Sequence, residues 1–168
     1  MQQLAKLFWE ICLLRKGPQD VPAALILFWL LLLVGLVVDL IIAVNFIDFQ
    51  QALLVVLANT IVLFGVVMLL LRMLGYASRI VQTLTTLIGT GLVFSFIRLP
   101  VMFIVKLMPQ NVGMFGFVEI IILVWSLVVI AHILRHALSI QLSLAGALAF
   151  GYFMLSYQLV NYFIPQAA

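Results

Sequence analysis

The sequence predicts an all-α membrane protein: a polytopic helical bundle of five transmembrane helices preceded by a short N-terminal amphipathic interfacial helix. Three observations carry that prediction. Of 168 residues, 67% are hydrophobic and 8% charged, with a mean hydropathy of +1.38. A soluble domain carries about 25% charged residues, so this chain lacks the polar groups to cover itself in water. The apolar runs are long and continuous, without the alternation of barrel strands, and only helices or closed barrels satisfy the backbone within lipid. The basic residues, finally, gather at alternate ends of those runs.

Two regions follow. Residues 1–20 form a cytoplasmic amphipathic segment, and residues 21–168 a five-helix transmembrane domain with spans at about 22–45, 51–71, 80–107, 114–131 and 140–164. In residues 1–17, Leu4, Leu7, Phe8, Ile11 and Leu14 recur at helical spacing, with Lys6, Glu10 and Lys16 elsewhere. Such a helix either lies in the headgroup plane or packs against the cytoplasmic end of the bundle. Gly17-Pro18-Gln19-Asp20 breaks it, and Asp20 ahead of Pro22 marks the start of the next helix. The first span contains Asp39 and the second Asn59. Arg98-Leu99-Pro100 interrupts the third, where Pro100 removes a backbone donor and predicts a kink. Pro109 to Gly113 turns the chain into the fourth span. Trp125 to Gly151 then reads as a helical hairpin, its break being the basic stretch His132-Ile133-Leu134-Arg135-His136.

Orientation follows from charge. Lys6, Arg15, Lys16, Arg72, Arg79 and Arg135 fall on one side and only Lys106 on the other. The positive-inside rule puts the N-terminus in the cytoplasm and the C-terminus outside.

Asp39, Arg98 and Glu119 are the costly residues, because a lone charge in hydrocarbon costs a few kcal/mol even on lenient scales. Chain direction brings all three to similar depth in the outer leaflet, together with Asn59, Gln158 and Asn161. Gly35, Asp39 and Ala43 share one face, and Gly91, Ser95 and Arg98 share another. Small residues mark protein-facing sides in membranes, so the expectation is a cluster in which Arg98 bridges Asp39 and Glu119. It reads as an ion-paired network that sets helix register, as a solute or proton pathway, or as a Glu119 that simply snorkels to the interface. Along the fifth span, Ser139, Ser143, Ala147 and Gly151 form a helix-packing stripe suited to a membrane-protein partner or a homo-oligomer.

Several chemistries are not expected. His132 and His136 have a chelating spacing, but Arg135 between them opposes a cation, so contact of all three with anionic headgroups is the reading. The single cysteine, Cys12, excludes an internal disulfide and reads as an apolar thiol. A net charge of +3 is too small for a nucleic-acid surface. No nucleophile–base pair, phosphate loop or cofactor motif is present, so neither an enzyme nor a cofactor is expected.

Leu74-Gly75-Tyr76 after the second span, Trp125 in the fourth and the small-residue fifth span, with the inferred orientation, resemble the Yip family (Ypt-interacting proteins) over residues 22–164. The small bacterial members are the nearest in kind. The resemblance implies a non-enzymatic protein of the bacterial inner membrane that associates with membrane partners or shapes the bilayer. The long cytoplasmic segment of eukaryotic members has only residues 1–20 as its counterpart, so small-GTPase recognition is not carried over. The function expected is therefore an interaction or membrane-organising module. The alternatives are a small transporter or channel subunit using Asp39, Arg98 and Glu119, and a lipid-handling accessory protein.

Overall fold

The computed structural model describes residues 2–107 and 112–163. The predicted turn from Pro109 and the end of the last span at Ile164 lie outside them. The described chain is all-α. A short helix α1 (Gln2–Cys12) precedes five long ones: α2 (Leu25–Ala43), α3 (Phe49–Met73), α4 (Ile80–Leu107), α5 (Val112–Leu138) and α6 (Leu142–Phe163). All five are long and apolar enough to cross a membrane. The protein is thus a multi-pass membrane protein.

Neighbour relations define the architecture. Helix α2 packs on α4, α4 on α5, α5 on α6, α6 on α3, and α3 returns to α2. The five helices close a ring. Outward faces carry large apolar side chains, such as Ile26, Leu33, Ile61 and Phe117, as lipid contact requires. Inward faces use small residues: Ala52, Ala145 and Ala149 are fully or almost fully buried, and buried Gly35 approaches Ile88 and Leu92 of α4.

Several boundaries differ from expectation. Helix α5 runs through the basic stretch to Leu138, because nothing between Ala131 and Leu138 breaks a helix; charge ends a span without ending a helix. Ile133, Leu134, Ala137 and Leu138 are buried there, so that end is packed. The reversal falls at Ser139, in the left-handed region at φ 55°. Gly113 lies inside α5 rather than in the turn before it. Arg79 Nη1 donates to the Ala137 carbonyl (3.1 Å) and the Ser139 hydroxyl (3.2 Å), placing a cation on the otherwise unsatisfied C-terminus of α5. Asp20 does not start α2. Its Oδ2 accepts from the Gly17 amide (2.9 Å) within a short 3-10 turn at Pro18–Asp20. Helix α4 continues through Pro100, whose missing N–H deprives the Phe96 carbonyl of its helical donor.

Helix α1 takes the packing role. It rests on α4 and α5 with Phe8, Ile11 and Cys12 buried. The Trp125 indole N–H donates to the Cys12 carbonyl (2.8 Å), and His132 Nε2 lies 3.0 Å from the Lys16 carbonyl. The first contact occupies a carbonyl that the end of α1 leaves open, and the second ties down the segment that follows it. The Trp125 ring also meets Trp9 and Phe94 edge-on, at centroid distances of 6.0 and 5.2 Å. Leu14, expected on the apolar face, is exposed at φ 61°, since the helix has already ended. Lys16 reaches back 2.9 Å to Glu10 on the polar side, and this hydrogen-bonded pair holds the Glu10 carboxyl below its usual range and raises the Lys16 ammonium. Burial pushes the Cys12 thiol up to about 12.

The tightest approach in this contact is Gly89 of α4, where a Cβ would fall within the Phe8 ring. Gly89→Leu should therefore displace α1. The expected outcome is a loss of roughly 1–3 kcal/mol in thermal stability in detergent. Cys12, inert to maleimide in the parent protein, becomes labelled; unchanged labelling in a folded variant would show that α1 does not depend on this contact.

Candidate functional site

The ring frames a cavity of about 580 Å³ that is partly open to its surroundings, and every long helix contributes to its wall. Asp39 comes from α2, Asn59 and Thr60 from α3, Thr90, Ser95 and Arg98 from α4, Ser126 from α5, and Tyr152 and Ser156 from α6. Register explains the convergence. Asp39 follows Leu25 by 14 residues, Asn59 precedes Met73 by 14, and Ser156 follows Leu142 by 14. At about 1.5 Å per residue, all three lie about 21 Å from the end of the bundle that carries Arg79. Ser95 and Ser126 fall within about one turn of that level. Polar groups from all five long helices thus share one level of the bundle.

Within the cavity the charges are not arranged as expected. The Ser95 hydroxyl donates to Asp39 Oδ1 (2.9 Å). Arg98 Nε lies 3.2 Å from Glu119 Oε2, within ion-pair distance, yet its N–H is not aligned to donate to that oxygen. No Arg98 nitrogen comes within ion-pair distance of Asp39, so Arg98 pairs with one carboxylate instead of bridging two. The reason is geometric. Arg98 is one turn beyond Ser95, and Ser95 is the α4 residue level with Asp39. Asn59 Oδ1, Ser156 Oγ and Arg98 Nε are buried without hydrogen-bond partners, and all three residues line the cavity. Such orphans are rare in dry protein and mark places where water or a ligand supplies the missing bond.

Gln158 and Asn161 do not join this group. Gln158 lines a second, apolar groove between α3 and α6 with Gly65, Leu69 and Tyr162, and Asn161 is exposed. Gln158 and Asn161 follow Ser156 by two and five residues, about 200° and 140° around the helix, and that rotation carries their side chains off the inward face. The Ser143, Ala147 and Gly151 stripe also faces outward: all three are exposed, and a Cβ on Gly151 would meet nothing. The packed face of α6 is that of Ala145 and Ala149. Both faces repeat every four residues, and which one the bundle uses is settled by α3 and α5. At the basic end, Arg135 and His136 are exposed, whereas His132 is held by the Lys16 carbonyl and meets the His136 ring edge-on at 4.6 Å. No described group of three His, Cys, Asp or Glu side chains is placed to hold a metal ion.

Sequence reasoning passed over Ser95 as Asp39's partner, and over Thr60, Thr90, Ser126 and Tyr152 as wall residues. A usable signal existed: Ser95 stands three residues before Arg98, on its face. The hydroxyls alone carried none, because a serine or threonine in a membrane helix is satisfied by its own backbone.

No protein-family model matches the chain, and no curated protein or solved structure matches it either.

The two polar contacts should behave differently in mutant cycles. Arg98→Gln with Glu119→Gln should couple by only about 0.5–1 kcal/mol, because both side chains are well exposed (39% and 44%) and the alignment is poor. Arg98→Gln with Asp39→Asn should couple less, and Ser95→Ala with Asp39→Asn more. Unfolding in detergent measures all three; a larger coupling for Arg98 with Asp39 than with Glu119 would contradict this geometry.

Proposed function

We propose that the chain is a small transporter or channel subunit of a bacterial inner membrane, with its N-terminus cytoplasmic and C-terminus periplasmic, that admits a polar or charged solute to the cavity at Asp39. The observation carrying this reading is the cavity itself: about 580 Å³ at the centre of the ring, reaching an acidic side chain and orphaned polar atoms from three helices. A pure packing network would draw its charges together and leave no room. Hydrocarbon penalises unfilled polar space, so a cavity with unsatisfied donors and acceptors points to an occupant. Sites formed between helices near the bilayer midplane are a recurrent transporter arrangement. A Yip-like interaction module is the second reading, supported by the outward Ser143, Ala147 and Gly151 stripe.

Solvent access to the cavity separates the two. Thiolates, not thiols, react with methanethiosulfonates, so a cysteine facing lipid is silent and one facing water is labelled. Buried Cys12 supplies a quiet background. In proteoliposomes, Ser156→Cys should react with an uncharged methanethiosulfonate at least roughly tenfold faster than the lipid-facing Ile61→Cys. Gly91 lines the cavity and a Cβ there meets nothing, so Gly91→Phe puts a bulky side chain at the cavity wall and should suppress the Ser156→Cys reaction. Equal rates at Ser156→Cys and Ile61→Cys would remove the transporter reading.

A further inference from the structure

The hydrogen-bond inventory of the cavity wall indicates what it takes in. Four wall hydroxyls have their single proton committed elsewhere. Thr60 donates to the Val56 carbonyl (2.8 Å), Thr90 to the Thr86 carbonyl (2.9 Å), Ser126 to the Leu123 carbonyl (2.7 Å) and Ser95 to Asp39 (2.9 Å). A hydroxyl whose proton is used offers only lone pairs. To these the Asn59 side chain adds an unpartnered oxygen and Asp39 the remaining acceptor capacity of its carboxylate. Against these stand two unpartnered groups that carry protons, the Ser156 hydroxyl and Arg98 Nε, so acceptors outnumber donors on the wall.

Its charge is also one-sided. Among the described lining residues Asp39 is the only acid and Arg98 the only base. The Arg98 charge is already matched by Glu119 at 3.2 Å. That leaves Asp39 without an ion-pair partner, a neutral hydroxyl as its hydrogen-bond donor and the Arg98 charge acting on it only at longer range. One carboxylate balances one positive charge, and the described residues offer no set of three ligands for a transition metal. The volume is too large for a bare ion and falls in the range of about 300–1,000 Å³ used by small organic ligands. Phe94, Tyr152 and Phe153 on the same wall provide aromatic surface, which favours cations and apolar bodies alike.

We infer that the cavity binds a singly charged organic cation, its ammonium group on Asp39 and Asn59 and its apolar body against Phe94, Tyr152 and Phe153. This inference rests on the reading of the cavity as a solute site. An alkali cation shares the carboxylate-and-oxygen chemistry but leaves the aromatic wall unused.

Charge-selective labelling of Ser156→Cys in proteoliposomes tests it, with Ser126→Cys as the second reporter if the first folds poorly. Rates with a cationic and an anionic methanethiosulfonate are each divided by the rate with a free thiol in solution. The cationic reagent should be favoured by about tenfold, as expected for one unscreened carboxylate nearby. Asp39→Asn should bring the ratio close to unity. Benzylamine should protect the cysteine from the uncharged reagent, while benzyl alcohol and benzoate should not. A ratio at or below unity in the parent protein, or protection by benzoate, overturns the inference and leaves the solute-site reading standing. Protection by sodium or potassium chloride with none by benzylamine overturns the organic cation in favour of an alkali ion. Silence toward the uncharged reagent as well would remove the solute-site reading itself.

Discussion

The structure depends on one constraint: inside hydrocarbon there is no water to complete a hydrogen bond, so each polar group must be answered from within the chain. Helix α4 shows the local answer. Thr83, Thr85, Thr86 and Thr90 are buried, and each hydroxyl donates to the carbonyl four residues earlier, at 2.6 to 2.9 Å. This arrangement makes a polar helix apolar from outside. It also uses up the donors that would otherwise tie α4 to its neighbours, so interhelical adhesion falls to packing, as at Gly35 against Ile88 and Leu92.

The cavity stands out against that background. Asn59 Oδ1, Ser156 Oγ and Arg98 Nε escape the rule that the threonines obey, and they escape it at one place. Scattered orphans would signal poor packing. Three that line a single cavity, beside an acid held only by a serine hydroxyl, signal a volume built to be occupied. The ring order makes this available, since α2, α4, α5, α6 and α3 each present at least one polar residue to the centre and keep bulky aliphatics for the lipid.

Helix α1 ties the N-terminal segment to the same framework. Its Cys12 carbonyl and the Lys16 carbonyl just beyond it meet Trp125 and His132 of α5, and its Phe8 ring fills the space that Gly89 of α4 leaves. Trp125 touches Phe94, which lies on the cavity wall. The path from α1 to the cavity is therefore two aromatic contacts long.

Composition and run length alone were enough to determine the fold class, the number of long helices and the bounds of α4, because burial in lipid demands long apolar helices whatever their neighbours. The common level of Asp39 and Asn59 along the bundle, with Arg98 about one turn beyond, was legible because rise per residue is a local property. Which faces turn inward was decided by tertiary packing. The choice of Ala145 and Ala149 over Ser143, Ala147 and Gly151, the pairing of Asp39 with Ser95 instead of Arg98, and the exclusion of Gln158 all depend on rotation of one helix against another. Such a rotation shifts every side chain's azimuth while leaving its depth unchanged, and in an all-round apolar helix no periodicity records it.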